Sequence, residues 1–230
     1  MLADFTALND VGLNLQAVLD LEALPAEMLA GLRGRHDPHH RCRQLIVIGH
    51  AGKTLWNSVK TSGIRSEHPI DEFSVKTVEQ WFAAHFANRA HAVIYPGDSP
   101  LGLQALGKIA GWHHTSPLMI GIQQTWGTWY AYRVVVLADT DLPSTPVLNS
   151  ESPCVSCANK VCIAACPADA LAGGMFDLSK CLSYRKEASS HCKATCVARV
   201  TCPVGSEHRY DDEQLHHVYS NSLKMIERHG

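Results

Sequence analysis

No apolar run in this chain approaches the length needed to cross a bilayer, so a membrane-spanning protein is not expected. The opening Met1-Leu2-Ala3-Asp4 lacks the basic and apolar regions of a secretory signal, which points to a reducing, cytoplasmic setting. Neither sign of charge is in real excess. Against 22 Asp and Glu stand 20 Lys and Arg, and a net charge of −2 gives no global attraction to nucleic acid or to an anionic membrane. The standard nucleotide fingerprints are missing as well: there is no G-x-G-x-x-G after a strand and no G-x4-G-K-[ST]. In Ala51-Gly52-Lys53-Thr54 the spacing back to Gly49 is too short for a phosphate loop, and the segment reads as an ordinary strand-to-loop turn. NAD, FAD and ATP sites therefore have no support. What is present is ample core material, 46 % hydrophobic residues in 230, enough for one ordinary domain and a small module beside it.

The cysteines are the dominant signal. Eight of the nine lie between residues 154 and 202, in two runs that each close on Cys-Pro: Cys154, Cys157, Cys162 and Cys166-Pro167, then Cys181, Cys192, Cys196 and Cys202-Pro203. That is enough thiolates for two [4Fe-4S] clusters. In two-cluster bacterial ferredoxins three cysteines of a run bind one cluster and the Cys-Pro cysteine binds the other. On that pattern cluster I takes Cys154, Cys157, Cys162 and Cys202, and cluster II takes Cys166, Cys181, Cys192 and Cys196. Zinc ribbons also pair cysteines, but as two separated C-x2-C knuckles with no need for the terminal prolines. Disulfides would need an oxidising compartment. The four residues 158–161 between Cys157 and Cys162, where two are usual, enlarge the loop of the first cluster. Cys42 stands alone before an apolar stretch and reads as a buried small hydrophobe.

Periodicity organises the rest. Phe5, Leu8, Leu15, Val18 and Leu19 suggest a helix over 5–21, and 25–32 a second one stopped at Gly34. Residues 45–49 and 91–95 are short apolar runs closed by glycine or Pro-Gly, hence buried strands, with a helix between them marked by Val75, Val78, Trp81, Phe82 and Phe86. A helix over 101–112 and strands over 117–122 and 129–138 follow, the last with the continuous run Val134-Val135-Val136-Leu137 of a central position. The expected class is α+β or α/β: a layered α/β cofactor-binding domain over 1–145, a two-cluster ferredoxin-like module over 146–210 and a C-terminal helix over 211–230. Residues 139–152, rich in Asp, Pro, Ser and Thr, would be the linker.

Four segments of the α/β part carry a family resemblance: Asp98-Ser99-Pro100-Leu101, Leu106-Gly107-Lys108-Ile109-Ala110-Gly111-Trp112, Thr125-Trp126-Gly127-Thr128-Trp129-Tyr130, and Asp139-Thr140-Asp141-Leu142-Pro143. Together with the cysteine order and Cys181-Leu182-Ser183-Tyr184, they resemble the catalytic part of epoxyqueuosine reductase over roughly residues 40 to 205. The architecture is similar to that of reductive dehalogenases too. The resemblance implies a cobalamin held base-off over the α/β domain, with cluster I near it and cluster II toward solvent, where electrons enter. Reduced cobalt would be a strong nucleophile or one-electron donor, which leaves the protein to position substrate, exclude water and supply a proton.

Residue roles follow from the same resemblance. Asp98 takes the place of the family's general acid, which would need its pKa raised by burial; as a residue after Pro-Gly it also suits a turn, or the cap of a helix beginning near residue 100. Trp112, Trp126, Trp129 and Tyr130 are candidates to line a corrin or substrate pocket, with core packing as the alternative. His113-His114 replaces the family's usual Gly-Lys pair. Lys180, Arg185, Lys186, Lys193 and Arg199 would give the cluster module a basic, solvated face, able to dock an acidic donor of the reduced ferredoxin or flavodoxin type or a phosphate backbone. The substrate would be a small molecule or linked to tRNA. Epoxyqueuosine reductases continue past the clusters into a helical-repeat region that helps hold tRNA, whereas this sequence ends at Gly230 after one helix, so full activity on tRNA is not expected of it alone. A corrinoid-handling redox protein and a plain two-cluster electron carrier are the alternatives.

Overall fold

The computed structural model describes residues 4–98, 101–146 and 150–229. By their internal packing the residues form two units, one comprising Met1–Gly111 with Tyr130–Leu148 and the other Trp112–Trp129 with Asn149–Gly230. Residues 112–129 thus group with the cysteine-rich part, and the last helix is part of that unit, a different division from a cut near residue 145.

The first unit is built on a four-stranded sheet. It contains α1 (Thr6–Asp10), β1 (Leu15–Asp20), α2 (Ala26–His36), β2 (Gln44–Ala51), α3 (Thr54–Thr61), α4 (Pro69–His85), β3 (His91–Tyr95), α5 (Leu103–Ile109) and, after an excursion into the second unit that holds β4 (His114–Thr115) and β5 (Gly121–Ile122), β6 (Tyr130–Ala138). Strand order is β1-β2-β6-β3, and every pairing is antiparallel. The sheet is therefore of the α+β kind. All eight residues of β2 are buried, as are Val134 to Ala138 of β6, so both faces are covered and the usual antiparallel alternation of apolar and polar residues is erased. One face packs Ile46, Ile48, Val134 and Val136 against Leu55 and Val59 of α3 and Val78, Trp81 and Phe82 of α4. Each such side chain removed from water is worth about 1.5–3 kcal/mol.

Three sequence expectations are corrected here. The segment 5–21 is one helical turn and then a strand: α1 stops before Gly12, and β1 pairs with β2 from Leu15↔Gly49 to Asp20↔Gln44. Gly12 has φ +89°, and a Cβ there would lie 2.2 Å from the Leu55 nitrogen, so the turn and the approach of α3 both require glycine. The turn at Gly52 opens a helix, α3, that was not anticipated. Only Gly121–Ile122 of the expected strand 117–122 is extended, paired with His114–Thr115.

The Asp- and Pro-rich stretch after β6 is pinned for half its length. The buried Gln44 amide donates to the Leu142 carbonyl (2.7 Å) and accepts from the Thr140 hydroxyl (2.7 Å) and the Leu142 N–H (3.0 Å). Thr145 exchanges hydrogen bonds with Val18 on β1. A chain so bonded is an edge strap on the sheet, and 139–146 is not a free linker.

Among its described residues the second unit holds, besides the β4–β5 pair and a 3-10 turn at Ser206–His208, five α-helices: α6 (Pro153–Ser156), α7 (Val161–Ala164), α8 (Leu178–Lys186), α9 (Val197–Thr201) and α10 (Asp212–His229). Two small apolar clusters organise it. One gathers Trp129, Tyr210 and Leu215, and the other Cys162, Leu171 and Ala198. No described helix of the chain is long and apolar enough to cross a membrane.

Candidate metal centre

Short helices and their caps place six of the eight cysteines, and Cys166 and Cys192 lie outside them. Ser152 caps α6 by accepting from the Cys154 N–H (3.3 Å), Cys157 ends that helix, and Cys162 lies in α7 behind the left-handed Lys160 (φ +38°) of the enlarged loop. Cys181 is on α8. The five-residue α9 has Cys196 as its N-cap and Cys202 as its C-cap, so one helix offers a cysteine at each end. All eight are free thiols.

Electrostatics divides them into two sets. Burial pushes the Cys154 thiol up, and Cys202, Cys162 and Cys157 push it further; Cys162 is raised by burial and then by Cys202 and Cys157. Cys181 is raised by burial and by Cys166 and Cys192, Cys192 by burial and Cys166, and Cys196 by burial, Cys192 and Cys181. Each thiol named as a neighbour belongs to the same quartet, and in both quartets the cysteine before proline joins three cysteines of the other run. The four cysteines of the second quartet line a cavity of about 180 Å³ together with Leu118, Ile120, Leu171 and Phe176. Among the described residues no three His, Cys, Asp or Glu side chains are gathered tightly enough to hold a single metal ion.

The raised thiols set a pH dependence. In the folded, cluster-free chain Cys154, Cys162, Cys181, Cys192 and Cys196 hold their protons above the ordinary value of 9.0. The folded state then binds more protons than the unfolded one, so this contribution to stability is fully present below 9.0 and is lost as the pH rises through the raised values. The thermal midpoint of chelator-stripped protein is expected to fall between about pH 8.5 and about pH 10.5, and a variant with these cysteines changed to alanine is expected to show a shallower fall. An equal fall in both proteins would contradict the assignment.

The basic residues do not form the expected solvated face. Lys180 and Lys186 are exposed, but Arg185 and Arg199 are 7 % and 8 % exposed. Arg185 also lines the sulfur-walled cavity, as does Arg199. Both lie in amphipathic surroundings where a long side chain can be drawn inward to fill space beside the sulfurs, which residue type alone does not signal.

The aromatic candidates are dispersed. Trp129 is 0 % exposed, with the Arg199 guanidinium 4.5 Å from its ring centre and Tyr210 meeting it edge-on at 5.3 Å. It is a core residue of the second unit. Trp126 packs on His208 with ring centres 4.2 Å apart. Trp112 is buried in the second unit, and Tyr130 in the first. His113 is buried too, while His114 bonds Ser150 at 3.0 Å.

Asp98 is exposed on the loop that leaves β3, and Ser99 and Pro100 lie outside the described residues. It does not cap a helix, since α5 starts at Leu103 with Gly102 as its N-cap. β2 and β3 run alike and β6 runs against both; Tyr95 pairs with Val135, so the loop that carries Asp98 leaves β3 in the direction of the Ala51↔Tyr130 end of the sheet, which lies further along β6. A polar group missed by sequence reasoning is found there. Arg133 Nε donates to Nδ1 of the fully buried His50 (2.9 Å), which leaves the neutral ring's proton on Nε2, and Arg133 lies 3.6 Å from Asp71. Burial raises the Tyr95 phenol, with Arg133 opposing and Asp71 adding to the shift, and raises the Tyr132 phenol to about 12. The only signal for this group was a histidine and an arginine inside otherwise apolar strands.

Compared with solved structures, the chain is similar to epoxyqueuosine reductase from Bacillus subtilis, captured with its catalytic loop swung out of the active site. The TM-score is 0.55 at 13 % identity, over 90 % of this chain and 65 % of that one. The architecture of the chain is the epoxyqueuosine reductase fold. The enzyme from Streptococcus thermophilus gives 0.53 at 13 % identity, over 87 % of this chain and 64 % of that one. An epoxyqueuosine reductase bound to an epoxyqueuosine-modified stem loop of tyrosine tRNA gives 0.56 at 13 % identity, over 92 % and 66 %. This chain thus spans about 65 % of the length of an epoxyqueuosine reductase of known structure. No protein-family model and no curated protein matches the sequence.

Proposed function

We propose that the chain is an iron–sulfur reductase of the epoxyqueuosine reductase type, in which two [4Fe-4S] clusters deliver electrons one at a time to an acceptor served by the first unit. The observation that carries the reading is the division of eight free cysteines into two quartets, each assembled across both Cys-Pro runs. Four thiols around an apolar cavity suit a cluster, because cysteine thiolates supply its outer ligands and the dry wall shields it from water. The electron donor would be a small reduced carrier of the ferredoxin or flavodoxin type, attracted by Lys180 and Lys186.

The acceptor implied by the resemblance is cobalamin, which when bound would supply a strongly reducing cobalt centre. Neither unit by itself gathers Trp112, Trp126, Trp129 and Tyr130 into one wall, so the corrin enters through the resemblance and not through a pocket. Asp98 is the proposed proton donor, on a loop that leaves β3 in the direction of the sheet end that carries His50.

The test is paramagnetic resonance of anaerobically reconstituted protein with added cob(II)alamin, followed by turnover of an epoxyqueuosine-modified tRNA stem loop. A base-off cobalt signal and turnover are expected, and Asp98→Asn is expected to leave the cluster and cobalt signals intact while slowing turnover by about 10²–10⁴-fold. An unchanged free-cobalamin signal would leave a two-cluster electron carrier. Cobalamin reduction with no turnover, unaffected by Asp98→Asn, would leave a corrinoid-handling protein.

A further inference from the structure

The geometry points to Arg185 and Arg199 as built-in counter-charges for the cluster held by Cys166, Cys181, Cys192 and Cys196, making it the higher-potential of the two and the first to be reduced. The inference rests on the two-cluster reading above.

Both guanidinium groups are buried, and a buried charge is costly unless something of opposite sign balances it. Arg185 donates to the Cys192 carbonyl (3.1 Å), the Ser222 hydroxyl (3.0 Å) and the Tyr219 carbonyl (2.8 Å). Arg199 donates to the Thr128 carbonyl (2.6 Å) and hydroxyl (3.3 Å) and to the Tyr219 hydroxyl (3.4 Å), and lies over Trp129 and Tyr210. Every one of these partners is neutral. Among the described residues neither arginine forms an ion pair with a carboxylate. Both arginines line the same cavity as Cys166, Cys181, Cys192 and Cys196, whose thiolates would supply charge of the right sign. Arg185 acts electrostatically on Cys181 and Cys192, and Arg199 on Cys196, in each case favouring the thiolate.

Cys154 and Cys162 of the first quartet have different surroundings. The groups that act on Cys154 and Cys162 are the other thiols, the Ser152 hydroxyl and backbone N–H groups, and no arginine is among them. A cluster with four thiolates is negative and becomes more so when it accepts an electron from a one-electron donor, with no bond made or broken. Fixed positive charge in a low-dielectric wall therefore stabilises the reduced form, and net charge around a cluster is one of the quantities that sets its potential. An electron entering the protein would rest on the second cluster until the acceptor draws it onward.

The test is a dithionite titration of reconstituted protein followed by paramagnetic resonance, reading the midpoint of each cluster. In Arg185→Gln the reduced-to-oxidised ratio of the second cluster at fixed potential is expected to fall at least tenfold, about 59 mV for one electron. The first cluster is expected to move less than twofold. Arg185→Lys keeps the charge and is expected to stay within twofold of the native midpoint. So is Ser222→Ala, which removes a hydrogen-bond partner and leaves the charge. Should Arg185→Gln fail to fold, Arg199→Gln takes its place with the same expectation. Full iron content with an unmoved second midpoint in the Gln variants, equal movement of both clusters, or a tenfold shift in the Lys or Ser222 variant would overturn the inference. Native protein without clusters would instead defeat the reading beneath it.

Discussion

Cys202→Ala is expected to remove the cluster of Cys154, Cys157 and Cys162 and to spare that of Cys181, Cys192 and Cys196; Cys166→Ala is expected to do the reverse. Iron should fall from about eight atoms per chain to about four in each variant, since a cluster that loses one of its thiolates has water or nothing in its place. The grounds are the shared fields of the thiols, in which Cys202 acts on Cys154 and Cys162 while Cys166 acts on Cys181 and Cys192. Double variants decide the matter. Adding Cys154→Ala to Cys202→Ala should cost no further iron, because both changes strike one cluster, whereas adding Cys192→Ala should remove the remainder. The opposite pattern would mean that each run of four cysteines serves its own cluster.

Gly127→Ala is expected to cost about 3–5 kcal/mol or to prevent folding of the second unit. Gly127 has φ +55°, and a Cβ there would lie 2.0 Å from the Val204 carbonyl oxygen. Gly205, at φ +63°, faces it in turn, with a Cβ position 2.5 Å from the Gly127 nitrogen. Two backbones meet at these glycines and neither can give way as a flexible side chain would. The pair clamps the 112–129 segment onto the turn that follows Cys202-Pro203, so loss of stability should be accompanied by loss of the cluster that Cys202 serves. Gly173→Ala is the control, since nothing stands within 4 Å of its Cβ position and a change within about 0.5 kcal/mol is expected for such a site. Chemical denaturation of the cluster-free proteins checks both values.

The cysteines were legible because cluster chemistry fixes residue type and spacing together, and the paired Cys-Pro runs leave few other readings. β2 and β6 were legible as continuous apolar runs, although the same continuity, produced by burial of both faces, hid their antiparallel pairing. β1 was misread because Ala17, Val18 and Leu19 are all buried, which suits a helix face as well as a covered strand, and Gly12 alone marked the turn before it. α3 was not legible because Gly52 signals a turn and only Leu55, Trp56 and Val59 mark the short helical face just beyond it. The burial of Arg185 and Arg199 had no signal at all in the sequence, since a surface arginine and a cavity-lining one are the same letter. Trp129 had an ambiguous one, and its place between Arg199 and Tyr210 is decided by residues about seventy positions away. The cysteine pattern is thus readable locally, whereas the side chains that surround it depend on tertiary packing.

The most direct measurement is Mössbauer spectroscopy of ⁵⁷Fe-loaded, anaerobically isolated native protein, with iron, zinc and acid-labile sulfide determined on the same sample. The account predicts about eight iron and eight sulfide per chain and the spectrum of cubane [4Fe-4S] centres alone. One or two zinc ions per chain with no labile sulfide would contradict it.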